Sequence, residues 1–194
     1  MVQHNYAKMD VEDYLILDKS SQTARYEYLD GELRMQAGGS PRHAAIIANL
    51  TIAIGKFLAD GPCWIYNSDV HFQLSETRYV HPDLAVSCDE RDHESEDVIQ
   101  YPRLVIEVLS PSTEAIDKIK KLAYYQECPT IEEYMMVDSL SIRIEVYHRE
   151  PDGWKLYTYG PGSTVKIESF KLQFPISDIY RGMQLAGTRK NRRY

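Results

Sequence analysis

Glu107 is the one charged residue in the run Leu104-Val-Ile-Glu-Val-Leu109, bounded by Pro102 and by Ser110-Pro111. A run this apolar predicts a short strand buried on both faces. An ionised carboxylate there costs several kcal/mol unless a cation, a proton or strong donors meet it. The nearest upstream acid in a similar setting is Asp83, in His81-Pro-Asp-Leu-Ala-Val86, just ahead of another apolar run. Two carboxylates on neighbouring buried strands suit a hard divalent ion, which prefers oxygen ligands. Asp83 alone reads as a turn residue after proline. Paired with Glu107, it reads as a ligand.

Other candidates have simpler readings beside them. Glu27 faces Arg34 across a hairpin, so a structural ion pair accounts for it. His43 falls in the first turn of a helix, on the side of Ile47 and Leu50, where a packed or capping histidine is the ordinary case. Asp117, Lys121 and Tyr125 share one helical face. On an ideal wheel that face lies nearly opposite the stripe Ile116, Ile119, Leu122 and Ala123, which reads as a solvated Asp117–Lys121 pair. Lys120 lies nearer the edge of the stripe. His71 and His81 have no partner at recognisable spacing and receive no role. Tyr124, Tyr125 and Tyr134 read as packing residues.

These residues need elements to carry them. Asp30-Gly31 predicts a tight turn in a hairpin pairing Tyr26 with Met35 and Glu27 with Arg34. A helix is expected from about Ser40 to Ala59, capped by Ser40 with Pro41 in its first turn. Its expected buried stripe is Ala44, Ile47, Leu50, Ile54 and Phe57. Strands follow at Asp69–Leu74, Asp83–Ser87 and Leu104–Leu109, then a helix over Thr113–Glu127 and a strand at Glu133–Val137. Further strands at Ile142–Tyr147 and Trp154–Tyr159 flank the turn Pro151-Asp-Gly153. The middle thus reads α-β-β-β-α-β, with hairpins before and after, in a mixed α/β or α+β sheet flanked by helices. The charge run Asp89–Asp97 reads as an exposed loop.

The 194 residues suit one domain (1–194), ending in a basic tail (188–194) that reads as a solvated end. A net charge of −7 argues against a protein held to nucleic acid by bulk charge, although the tail holds four of the 22 basic residues. Cys63, Cys88 and Cys128 lie far apart with no zinc spacing, so reduced thiols in a cytoplasmic protein are expected. No stretch approaches the ~18 apolar residues of a membrane span, and the polar start is no signal peptide.

The strings Tyr26-Glu27-x-x-Asp30-Gly31-Glu32, Pro82-Asp83, Glu107-Val-Leu-Ser-Pro-Ser-Thr113, Asp117-x-x-x-Lys121-x-x-x-Tyr125 and Glu133-Tyr134-x-x-Val137-Asp138 occur in this order. Together they resemble the Uma-type restriction-endonuclease family of the PD-(D/E)XK nuclease superfamily, over roughly Glu12 to Tyr180. The resemblance implies a restriction-endonuclease-like core of the same α-β-β-β-α-β order. It also implies a DNA endonuclease using Mg²⁺, or Mn²⁺ in its place, held by Asp83 and Glu107. The superfamily's lysine two residues after the glutamate is replaced here by Leu109, and Lys121 on the following helix is its implied substitute. Glu27 becomes an additional acid near the metal, with His43 and Tyr125 as substrate-binding residues. Cys128-Pro129 stands where relatives usually have Gly-Val. The resemblance further implies a homodimer. A nuclease-fold module that no longer cuts is the alternative, motivated by the missing lysine and the acidic composition.

Overall fold

The computed structural model describes residues 9–21, 24–36, 39–110 and 117–185. Helix α1 (Val11–Ser20) leads into the expected hairpin of β1 (Tyr26–Leu29) and β2 (Glu32–Met35). Its register is the predicted one, from Tyr26 opposite Met35 to Leu29 opposite Glu32. Asp30 and Gly31 have φ of 55° and 96°, the left-handed pair that a type I′ turn requires.

Helix α2 (Pro41–Leu58) starts where predicted, with Ser40 Oγ accepting the His43 N–H at 3.2 Å. Its buried side is Ile46, Leu50, Ala53 and Ile54, whereas Ala44 and Phe57 of the expected stripe are exposed. Apolar residues ring much of this helix, so spacing alone did not select the covered side.

The chain continues through β3 (Trp64–Asn67), β4 (His71–Ser75), β5 (Arg78–Val80), β6 (Leu84–Ser87), the short helix α3 (Glu90–His93), β7 (Val98–Ile99) and β8 (Pro102–Leu109). A π-helical turn (Asp117–Lys121) runs into α4 (Leu122–Glu127). Then come β9 (Glu133–Asp138), β10 (Ile144–Glu150), β11 (Gly153–Tyr159), β12 (Thr164–Ile167), β13 (Leu172–Pro175) and α5 (Ile176–Ile179). The segment 111–116 that opens the second predicted helix and the tail 188–194 lie outside the described residues.

The fold is α+β, with a main sheet in the order β11-β10-β9-β8-β6-β3. Strands β8 and β9 run parallel, with α4 between them in the chain, and the other pairs are antiparallel. The predicted order α-β-β-β-α-β is present here as α2, β3, β6, β8, α4 and β9. One assignment changes: the strand expected at Asp69–Leu74 is β4 and belongs to a second sheet, β2-β1-β5-β4-β7. The core's first strand is instead Trp64–Asn67. It lies at the sheet edge with Trp64 half exposed, which weakens its apolar signature.

Strand β8 is buried on both faces, as its sequence predicts. Leu104, Ile106 and Val108 join a core with Ile46, Leu50 and Ile54 of α2. Val105 and Leu109 face Leu29, Phe72, Tyr125 and Tyr134, so the core on this side includes residues from both sheets. Alternation along the strand puts Glu107 on this second face.

Two further expectations change. The charge run, mostly exposed as expected, is not a plain loop: it carries α3, and its Asp92 is buried, accepting from Ser87 Oγ at 2.5 Å and from the Gln100 and Tyr101 N–H groups. Cys63 and Cys88 form a disulfide. The pairing of Trp64 with Ser87 sets these cysteines opposite each other, Cα to Cα 4.0 Å, a proximity that spacing along the chain does not reveal. Only Cys128 is a free, buried thiol.

Candidate active site

The register Leu84–Ile106, continued by one residue, sets Asp83 opposite Glu107 on the same face of the main sheet. Asp83 Oδ2 accepts the Val108 N–H at 2.7 Å, so the residue after Glu107 holds this carboxylate. His43 Nε2 lies 3.2 Å from the same oxygen. A Cβ at Gly39 would sit 2.5 Å from His43 Nδ1, so the glycine leaves the room in which this ring stands.

Glu107 is 4% exposed, and its Oε1 accepts from Lys121 Nζ at 2.9 Å and from the Tyr125 hydroxyl at 2.8 Å. The ammonium also lies 2.8 Å from Glu27 Oε1, which accepts the His81 N–H at 3.2 Å. Glu27 comes from the second sheet, Glu107 from the main sheet and Lys121 from the π-helical turn. One lysine, 5% exposed, thus joins three elements. Three buried carboxylates, Glu27, Asp83 and Glu107, lie here with one lysine and one histidine.

The structure brings Glu27, Glu107, Lys121 and Tyr125 into one network and sets His43 on Asp83. The solvated reading of Lys121 is overturned, and the cause is the π-helical turn. Its i→i+5 bonding rotates the following residues relative to an ideal wheel and carries Lys121 inward. The Asp117 side chain, its expected partner, lies outside the described residues. Lys120 binds Glu32 at 2.9 Å on the surface. Arg34 lies opposite Glu27 in the hairpin but pairs with Glu32 at 3.2 Å. Tyr125 is fully buried, so its hydroxyl serves Glu107 rather than the surface.

Residues 11–177 match the family model Uma2, described as "Putative restriction endonuclease". The chain belongs to that family. Among its relatives, "Uncharacterized protein slr1290" of Synechocystis sp. is 38% identical over 189 residues, covering 94% of this chain and 99% of the relative. A second Synechocystis protein, "Uncharacterized protein sll1609", is 30% identical over 149 residues, covering 75% and 84%. The fold is shared with a crystal structure titled as a putative nuclease belonging to DUF820 from Anabaena variabilis. Its TM-score is 0.74 at 18% identity, covering 88% of this chain and 97% of that one.

Not every buried acid in this Uma2 member serves the network. Glu133 accepts from Glu168 N–H at 2.9 Å and Ser169 N–H at 3.1 Å, which fastens the chain after β12 to β9. Sequence reasoning also missed a cluster. Asp18, His71 and His81 bring one ligand atom each within 4.8 Å of the others. Burial, then neighbouring His71, push the His81 pKa down to about 4, so the ring stays neutral near pH 7. Among the described residues, no helix is long and apolar enough to cross a membrane.

Proposed function

We propose that this protein is a divalent-metal-dependent endonuclease that hydrolyses phosphodiester bonds in DNA, acting as a cytoplasmic homodimer. The observation that carries the reading is the Lys121 ammonium bridging Glu107 and Glu27, beside Asp83 held by Val108 and His43. Asp83 and Glu107 would hold the metal, and Mg²⁺, or Mn²⁺, bound there would supply Lewis-acid polarisation of the phosphate and a lower pKa for the attacking water. Lys121 supplies the positive charge that offsets charge building on the phosphate oxygens, the part of the lysine missing after Glu107. Tyr125 and the Val108 N–H fix the directions of the Glu107 and Asp83 carboxylates. His43, partly buried at the head of α2 with a side chain 15% exposed, is the group that contacts the substrate phosphate.

The test is cleavage of plasmid DNA by purified protein with Mg²⁺ or Mn²⁺. Nicking by the wild type, lost in Asp83→Ala and Glu107→Ala, is expected. An inactive wild type, or variants as active as it, would overturn the reading. The burial of Lys121 and Glu107 favours a second reading, a nuclease fold kept as a binding or assembly module. Calorimetric titration without any divalent binding at Asp83 and Glu107 would select it.

A further inference from the structure

Three donors from three elements meet beside the Lys121 network: Asp18 on the last turn of α1, His71 at the start of β4, and His81 just after β5. His71 Nε2 lies 2.5 Å from Asp18 Oδ2, and His81 Nε2 lies 3.9 Å from Asp18 Oδ1. His81 is 2% exposed, and among the described residues its Nε2 has no hydrogen-bond partner. Its Nδ1 lies 3.0 Å from the Ser68 carbonyl oxygen. A carbonyl only accepts, so Nδ1 carries the proton and Nε2 presents a bare lone pair toward Asp18. Folded proteins rarely keep such a group buried and unmet. A backbone carbonyl on the far ring nitrogen is also how metal-binding histidines are oriented.

We propose that Asp18, His71 and His81 hold a divalent transition-metal ion of the zinc class, through the Asp18 carboxylate and Nε2 of each histidine. Two imidazoles and one carboxylate select such an ion over Mg²⁺ or Ca²⁺, which take oxygen ligands. Ligand atoms around tetrahedral Zn²⁺ lie about 3.4 Å apart. The separations of 2.5 and 3.9 Å bracket that value, so small side-chain rotations close the site. The ion takes the His71 Nε2 lone pair, and the proton bridging to Asp18 moves to Nδ1 of that ring or to solvent.

The site borders a cavity of about 510 Å³ whose lining also includes Asp69, Asp97 and Lys19. Lys19 pairs with Asp97 and Arg25 with Asp69, so of the acids lining the cavity Asp18 is the one turned to the two histidines. Asp18 Oδ1 takes the Tyr26 N–H at 2.9 Å, and the His81 N–H holds Glu27. The ion therefore braces the frame that carries Glu27. This inference does not rest on the proposed nuclease activity.

The experiment titrates untagged, chelator-stripped full-length protein with Zn²⁺ by calorimetry and with Co²⁺ by visible absorption. One ion per chain and a Co²⁺ ligand-field spectrum of histidine–carboxylate type are expected. Glu107→Gln keeps both, while His71→Ala and His81→Asn weaken Zn²⁺ binding more than the roughly 100-fold that outer-shell changes cost. Absence of Zn²⁺ heat and of the Co²⁺ spectrum in the wild type overturns the proposal. So does binding that survives His71→Ala but is lost in Glu107→Gln, which moves the ion to the other site. If His81→Asn fails to fold by circular dichroism, the wild-type spectrum and His71→Ala decide.

Discussion

Lys121 Nζ lies 2.9 Å from Glu107 Oε1 and 2.8 Å from Glu27 Oε1, so a single buried ammonium neutralises acids from two sheets. Removing one partner of a buried ion pair leaves uncompensated charge and costs about 3–5 kcal/mol. Lys121→Met is therefore expected to lose about that much stability in urea unfolding at neutral pH. Adding Glu27→Gln should recover part of it, because one stranded carboxylate is removed as well. Cleavage by Lys121→Met should fall about 10²–10³-fold, the loss typical of one preorganised charge-stabilising donor. Full activity would remove Lys121 from the chemistry and leave it a structural clamp.

Tyr125 donates to the same carboxylate oxygen at 2.8 Å from a fully buried position. A hydrogen bond to a charged group contributes about 1.5–3 kcal/mol. Tyr125→Phe keeps the ring against Tyr134, whose centroid is 4.7 Å away, and removes only the hydroxyl. Its unfolding midpoint should drop accordingly. The cleavage rate should fall about tenfold, roughly 1.4 kcal/mol of barrier. A rate loss as large as that of Lys121→Met would mean that Tyr125 does more than orient Glu107.

Gly39 offers a way to move His43 without deleting it. A new Cβ in Gly39→Ala would lie 2.5 Å from His43 Nδ1, and the ring is the part that can yield. The imidazole should swing away from Asp83 Oδ2, now 3.2 Å distant. Gly39→Ala and His43→Ala are then expected to lower plasmid cleavage to a similar extent, with the unfolding midpoint little changed. If Gly39→Ala cuts normally while His43→Ala does not, the contact with Asp83 is not the one that matters.

Glu107 was legible because one charge in an apolar strand announces its own burial, and Asp83 followed because neighbouring strands share a face. The hairpin was legible to the residue through Asp30-Gly31. Lys121 was not, because a wheel assumes α-helical bonding and the π-helical turn breaks that assumption at the residue in question. Asp18, His71 and His81 lie on three elements up to 63 positions apart, so no local spacing could announce them. Cys63 and Cys88 meet through a strand register that only the folded sheet supplies. Local patterns exposed what burial dictates, while contacts that depend on tertiary placement stayed hidden.

The neutral His81 ring sets a pH dependence with a definite sign. Burial and His71 hold its folded pKa at about 4, against roughly 6.5 for an unfolded histidine. Between those values the unfolded chain binds a proton that the folded chain refuses, so stability falls as pH drops through this window. The full effect is about 3 kcal/mol, complete near pH 4 and absent above pH 7. Unfolding free energies measured in chelator from pH 7.5 to 4 should show this decline, and His81→Asn should flatten it. Bound Zn²⁺ should steepen it, since protonated imidazole cannot ligate and the ion is released on acidification. A His81→Asn slope equal to the wild type would assign the acid sensitivity to other groups.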